Sequence, residues 1–156
     1  MALITESIHN VDSDYTTHFR NALVVANGSQ YADLQMAQGS QAPAGPHKCF
    51  ISAIRVLSIQ NLDWRVEIWD RTLPQATGSS LNNHGLVYSQ YFNKVAAASQ
   101  YGTVFAYIQT GLKVPYIDRQ SQGQLHVNLV NADGATAKLA GDTGAVHVRV
   151  GVIYSS

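Results

Sequence analysis

Near the C-terminus, Val146, Val148, Val150, Val152 and Tyr154 alternate with His147, Arg149, Gly151 and Ile153. Strict alternation sends the two sets to opposite sides of an extended chain, whereas a helix would scatter both around its circumference. Branched side chains at Cβ suit such a pleated surface. The segment is therefore expected to be a half-buried β-strand, and the rest of the chain must supply its neighbours.

Two other segments repeat the pattern. Trp64, Val66 and Ile68 alternate with Arg65, Glu67 and Trp69, and Leu125, Val127 and Leu129 alternate with His126 and Asn128. Phe50 to Gln60 is apolar on both faces, which predicts a central strand covered on both sides for part of its length. Leu86 to Phe92 and Val104 to Gln109 are rich in Tyr, Phe and Val. Leu112 to Ile117 contains Pro115, which has no N–H to offer a ladder and so belongs at a sheet edge. Leu3 to His9 and Phe19 to Ala26 complete a set of about eight or nine strands. Sustained helical periodicity is missing, although Lys94 to Gln100 and Ala135 to Ala140 can each form a short helical turn. Many short strands with Gly, Pro and Asn between them predict an all-β fold, an antiparallel β-sandwich that is jelly-roll-like.

The 156 residues fit a single domain over 1–156. A polar N-terminal arm is expected over about 1–17, where Ser7 to Thr17 lacks alternation. A long loop is expected over about 27–46, from Asn27-Gly28-Ser29 to the Gly/Pro-rich run Gly39 to Pro46. Loops of that length are usually functional or disordered, and in an oligomer they often lie across a neighbour.

Charged residues make up 13% of the chain, where about a quarter is usual. Gln, Asn, Ser, Thr and Tyr take their place. Polar outer faces of a β protein account for this, and so does a surface covered by other subunits, because interface cores lose Lys, Glu and Asp and gain Tyr and Trp. Ten basic and ten acidic residues cancel. No basic stripe is present to neutralise phosphates, so neither nucleic acid nor an anionic membrane surface is an expected partner. No apolar run approaches the ~18 residues that cross a bilayer. Met1 to Glu6 lacks the basic region and apolar core of a secretory signal.

Candidate reactive groups are few. Cys49, beside Phe50 and Ile51, reads as a small buried hydrophobe with an inert thiol; His47 shares its face without being an assured partner. The histidines His9, His18, His47, His84, His126 and His147 show no zinc-site spacing. His126 and His147 lie on outward faces of their strands and would meet only if those strands were neighbours. Asp12-Ser13-Asp14 lacks the remainder of a calcium loop and reads as a turn, as do Asp133-Gly134 and Asp142-Thr143-Gly144. No Gly-x-Ser-x-Gly elbow or phosphate-binding glycine loop occurs. Asp63, Glu67 and Asp70 around Trp64 and Trp69 form the one acid-plus-aromatic constellation. Glu67 and Trp69 share a face on which a sugar can stack, while the plainer expectation is one core Trp and one at a subunit contact. No catalytic residue, metal site or cofactor is expected.

The C-terminal third carries a recognisable pattern. The strand Leu125 to Asn131 leads into the connection Ala135-Thr136-Ala137-Lys138-Leu139-Ala140-Gly141-Asp142-Thr143-Gly144, and Ala145 to Val150 leaves it as the closing strand. Upstream, Val56 to Asn61 followed by Leu62 to Trp69 gives paired strands of the same style. Together these resemble small jelly-roll structural proteins of tailed bacteriophages, over about half the chain. The resemblance implies a virion component such as a head-decoration (cement), neck or tail-associated protein, assembled in the host cytoplasm, and it transfers no catalytic residues.

The expected function is thus a non-enzymatic capsid decoration protein that stabilises a particle through contacts with its own copies and with other virion proteins such as a major capsid protein. The alternative is a lectin-like carbohydrate-binding sandwich whose partner is a glycan. Trp69, Tyr88, Tyr91, Tyr101, Tyr107 and Tyr116 are the candidate interface residues, since Tyr and Trp supply large amphipathic contact area. Sequence alone does not separate them from core aromatics.

Overall fold

The computed structural model describes residues 6–12, 29–35, 48–72, 85–95, 100–101, 104–119, 123–133 and 146–155. They form ten strands: β1 (Glu6–Asp12), β2 (Ser29–Gln35), β3 (Lys48–Ser58), β4 (Trp64–Trp69), β5 (Leu86–Phe92), β6 (Gln100–Tyr101), β7 (Val104–Gln109), β8 (Val114–Ile117), β9 (Gln124–Asn131) and β10 (Val146–Ser155). No helix occurs among the described residues.

Every pairing is antiparallel. One sheet runs β1-β10-β3-β7-β6 with β8 also on β3, and the other runs β2-β9-β4-β5. β7 and β8 lie end to end along the same side of β3, as two halves of one broken strand. Counted so, with β6 as a short addition, the sheets read first–eighth–third–sixth and second–seventh–fourth–fifth. That order is the double Greek key of a jelly roll.

The break between β7 and β8 has a local cause. Ile54 pairs with Gln109 while Ile51 pairs with Val114, so residues 110–113 bulge opposite Ser52 and Ala53. Gly111 makes the excursion with φ of 72°, a conformation that L side chains resist. On the other side of β3, Gly151 pairs with Ala53 and Val152 with Ile51, which leaves Ser52 unopposed. The two irregularities lie at one level of β3, where the Leu112 N–H donates to the Ser52 carbonyl at 3.0 Å and Leu112 packs against the core.

The alternating residues face each other across the sandwich. Ile51, Ile54 and Val56 of β3 and Val148, Val150 and Val152 of β10 meet Trp64, Val66 and Ile68 of β4 and Leu125, Val127 and Leu129 of β9, all fully buried. Each such aliphatic side chain contributes roughly 1.5–3 kcal/mol when removed from water. The members from β4, β9 and β10 are the apolar set that the period-two pattern marked, and β3 adds Ile51, Ile54 and Val56.

Several expectations change. Within the polar arm expected over about 1–17, the strand expected over Leu3 to His9 is β1, displaced to Glu6–Asp12, where its ladder to β10 extends it past His9. The loop expected over about 27–46 contains β2, paired with β9 along its whole length. β3 alternates between core and half-exposed positions, so it is central but fully covered on one face only. The expected strand Phe19 to Ala26, the turn Ala135 to Ala140, most of the turn Lys94 to Gln100 and the connection through Lys138, Gly141 and Gly144 lie outside the described residues.

Candidate functional site

Strand register arranges the outer face of the four-stranded sheet in rows. Asp33, His126 and Trp69 form one row, Tyr31, Asn128, Glu67 and Ser89 the next, and Val130, Arg65 and Tyr91 a third. Outer faces are ordinarily solvated, yet here His126 is 0% exposed, Trp69 3%, Val130 4% and Asn128 6%. Polar groups buried this deeply need partners. His126 Nδ1 lies 2.6 Å from Asp33 Oδ1, and Nε2 lies 3.0 Å from Asp118 Oδ1. The Tyr31 hydroxyl donates to Asp33 and lies 2.9 Å from His126 Nδ1, with the two rings stacked 6° from parallel. Asp118 also accepts from the Gln124 N–H at 3.1 Å. One row further, the Asn128 amide donates to Glu67 Oε1 at 2.8 Å, and Arg65 Nε lies 3.3 Å from Glu67 Oε2.

This network joins β2, β4, β9 and the segment after β8. It has the residue types of a catalytic site, but the imidazole and Asp118 are buried and only Asp33 and Tyr31 reach toward solvent. Its chemistry is that of a clamp. Among the described residues no group of three His, Cys, Asp or Glu is placed to hold a metal ion. His126 and His147 do not meet, since β9 and β10 belong to different sheets.

Two buried tyrosines tie the sheets together at opposite ends. Tyr107 of β7 donates to Asn61 Oδ1 and accepts the Leu62 N–H, each at 2.9 Å, and its ring meets Phe92 of β5 edge-on. Burial pushes its hydroxyl up to about 12. Beside it, Asp63 accepts from the Lys94 N–H at 2.7 Å, and Asp133 Oδ2 receives both the Asp63 N–H and Lys94 Nζ at 3.1 Å. At the other end, the Tyr116 hydroxyl donates toward the carbonyls of Gln124 at 2.7 Å and Trp69 at 3.1 Å; burial and then the Asp118 charge push it upward.

The six expected interface aromatics therefore divide. Trp69, Tyr107 and Tyr116 are corrected to internal residues, 3%, 1% and 1% exposed. The reason is that both tyrosine hydroxyls find strand-end or loop partners inside the sandwich, and Trp69 is sealed beside His126. A sugar cannot stack on Trp69 for the same reason. Tyr88 is half-buried, packs against the core from the edge strand and donates to Gln90 Oε1 at 2.6 Å. Tyr91 is open, 46% exposed. Tyr101 lies on β6, and its side chain is outside the described residues. Cys49 is buried, and burial pushes its thiol up to about 12, which makes it a poor nucleophile as expected.

The outer face of the six-stranded sheet is the opposite kind of surface. Ile108 is 55% and Ile117 42% exposed, with Pro115 exposed between them in sequence. Half-buried Phe50 pairs with both Ile153 and Pro115, continuing the apolar band across three strands. Arg55 stands between Arg149 and Ile108. Sequence reasoning passed over this group because Phe50 and Ile153 join Pro115 only through strand pairing.

No family model matches the chain, and no curated protein matches it. Among solved structures, a chain in "The Structure of Tomato Aspermy Virus by X-Ray Crystallography" is similar, with a TM-score of 0.46 and 12% sequence identity over 98% of this chain and 78% of that one. At that level the likeness carries no functional conclusion, and the jelly-roll assignment rests on the strand pairing itself.

Proposed function

We propose that this chain is a non-enzymatic virion structural protein, a capsid decoration or cement protein of a bacteriophage particle that acts through protein–protein contacts. The observation that carries this reading is the exposed pair Pro115 and Ile117 beside half-buried Phe50 on an outer sheet face, with Ile108 open further along the same sheet beside Arg55. Large apolar side chains grouped open on one sheet face mark a surface that another chain can cover. The low charge of the sequence supports the same use, as does the resemblance of the C-terminal pattern to phage jelly-roll proteins. Jelly rolls also serve lectins and enzymes, so the fold gives no function by itself. In the polar constellation around His126, the imidazole and Asp118 are buried and already paired with each other. The partners in this reading are copies of the chain and other virion proteins, and the place of action is the particle, assembled in the host cytoplasm.

Mass spectrometry and a reconstruction of purified particles test the proposal. The expected result is the sandwich at symmetry-related positions on the particle, with the outer face that carries Ile108, Pro115 and Ile117 against a neighbour. A chain missing from purified particles and monomeric at high concentration would overturn it.

A further inference from the structure

A sheet edge presents unpaired N–H and C=O groups, and proteins that must not associate protect it with charge, proline or brevity. Most edges here carry such protection. β1 contains Glu6 and Asp12, β2 contains Asp33, β8 contains Pro115, and β6 has two residues. β7 is partly covered, by β6 at Val104 and Phe105.

β5 differs. It pairs with β4 on one side, and no described strand pairs with its other side. Its sequence, Leu86-Val87-Tyr88-Ser89-Gln90-Tyr91-Phe92, has no charged residue and no proline. The register slips where Trp69 pairs with Leu86 and Ile68 with Tyr88, so Val87 is bulged and Tyr88 to Phe92 is the regular stretch. Ser89 and Tyr91 are exposed there. Neutrality bears on which partner fits. In a two-fold contact each residue near the axis meets its own copy or that of a close neighbour, so any charge there would face a like charge. Among the described residues, β5 and the uncovered end of β7, Ala106–Gln109, are the edges free of charge and proline, and β5 is the longer.

We propose that β5 is a self-association edge: two copies pair their β5 strands antiparallel about a two-fold axis and merge their four-stranded sheets into one continuous sheet. This rests on the reading that the chain assembles with itself, and it names the surface that does so. Main-chain hydrogen bonds hold the contact, and Tyr91 and Ser89 of each copy cover it on the outer face.

Two substitutions at one exposed position test this. Ser89→Lys places a charge beside the axis, while Glu67 directly across on β4 accommodates it within the chain. Ser89→Cys offers a thiol to a short bis-maleimide cross-linker, with buried Cys49 unreactive in the folded protein. Sedimentation of the full-length protein is expected to show a concentration-dependent dimer or multiple of it. That species should fall to monomer in Ser89→Lys at unchanged melting temperature, and Ser89→Cys should give a covalent dimer at high yield. An oligomer that persists in Ser89→Lys, or a Ser89→Cys protein that stays uncross-linked while oligomeric, overturns the β5 contact and leaves the virion reading intact. A wild-type chain that is monomeric in solution yet pairs β5 with a strand of another protein in the particle also overturns it. A monomer that is absent from particles overturns both.

Discussion

The two outer faces of this sandwich are built from the same strand chemistry and are used in opposite ways. On the four-stranded sheet the chain buries polar side chains and satisfies them, with His126 between Asp33 and Asp118 and Asn128 on Glu67. On the six-stranded sheet it leaves Ile108 and Ile117 open. The difference teaches where the molecule is finished. A sealed polar network is costly to disturb from inside and offers little to a partner, because its groups are already paired. An exposed apolar band costs the isolated chain little to alter and matters when a second chain arrives.

Substitutions on the two faces should therefore separate stability from association. The largest effect is expected from His126→Ala, which leaves the fully buried Asp118 carboxylate without its imidazole. Removing one member of a buried charged network typically costs about 3–5 kcal/mol, and urea unfolding would measure it. A loss below about 1 kcal/mol would show that the clamp is not what holds β2 to the segment after β8.

Asn128→Ala should cost less, about 1–3 kcal/mol, since it withdraws one amide donor from Glu67 and leaves Arg65 in place. Chemical denaturation of the single variant and of Asn128→Ala with Glu67→Gln would test whether the two positions couple, as contacting residues should.

The core beneath both faces predicts an alkaline limit. The folded Cys49 thiol ionises near pH 12 rather than 9, and the Tyr107 hydroxyl near 12 rather than 10. Both groups are raised, so the unfolded chain loses these protons first. The stability they contribute is whole below pH 9 and declines as pH climbs toward 12. Melting temperature followed across that range should fall, and Cys49→Ala should fall less steeply. Native Cys49 should also resist alkylation at pH 8 and react once the chain is unfolded.

The smallest effect on folding is expected from Ile108→Ser, within about 0.5 kcal/mol of wild type. The same variant, alone or with Ile117→Ser, should bind particles measurably less well in a reconstitution assay. Unchanged binding would move the contact off the six-stranded face.

Much of the architecture was legible in advance. Trp64–Trp69, Leu86–Phe92 and Val104–Gln109 coincide with β4, β5 and β7, and the Val146 segment with β10 but for its last residue. These strands are half-buried or edge strands whose residue types and alternation are written locally. β2 was missed, and β1 was anticipated only in part by Leu3 to His9, for the complementary reason. Their polar sequences, ESIHNVD and SQYADLQ, are held extended by the strands beside them, a cause that lies elsewhere in the chain. The clamp was half visible. His126 stood out on an outward face, but Asp33 and Asp118 lie 93 and 8 residues from it in sequence, and no local pattern couples them.

By itself, then, the sequence determined a β-rich chain with one apolar side per strand, an inert cysteine and little charge, because side-chain alternation and residue chemistry are local properties. Tertiary structure alone decided which strands became neighbours. Through that pairing it turned Tyr107 and Tyr116 from expected contact residues into internal ties, enclosed Trp69 and His126, left Ile108 and Ile117 exposed, and gave β5 no second partner among the described strands. Exposure belongs to the packed whole: a tyrosine is a surface or a strut according to what the fold places around its hydroxyl.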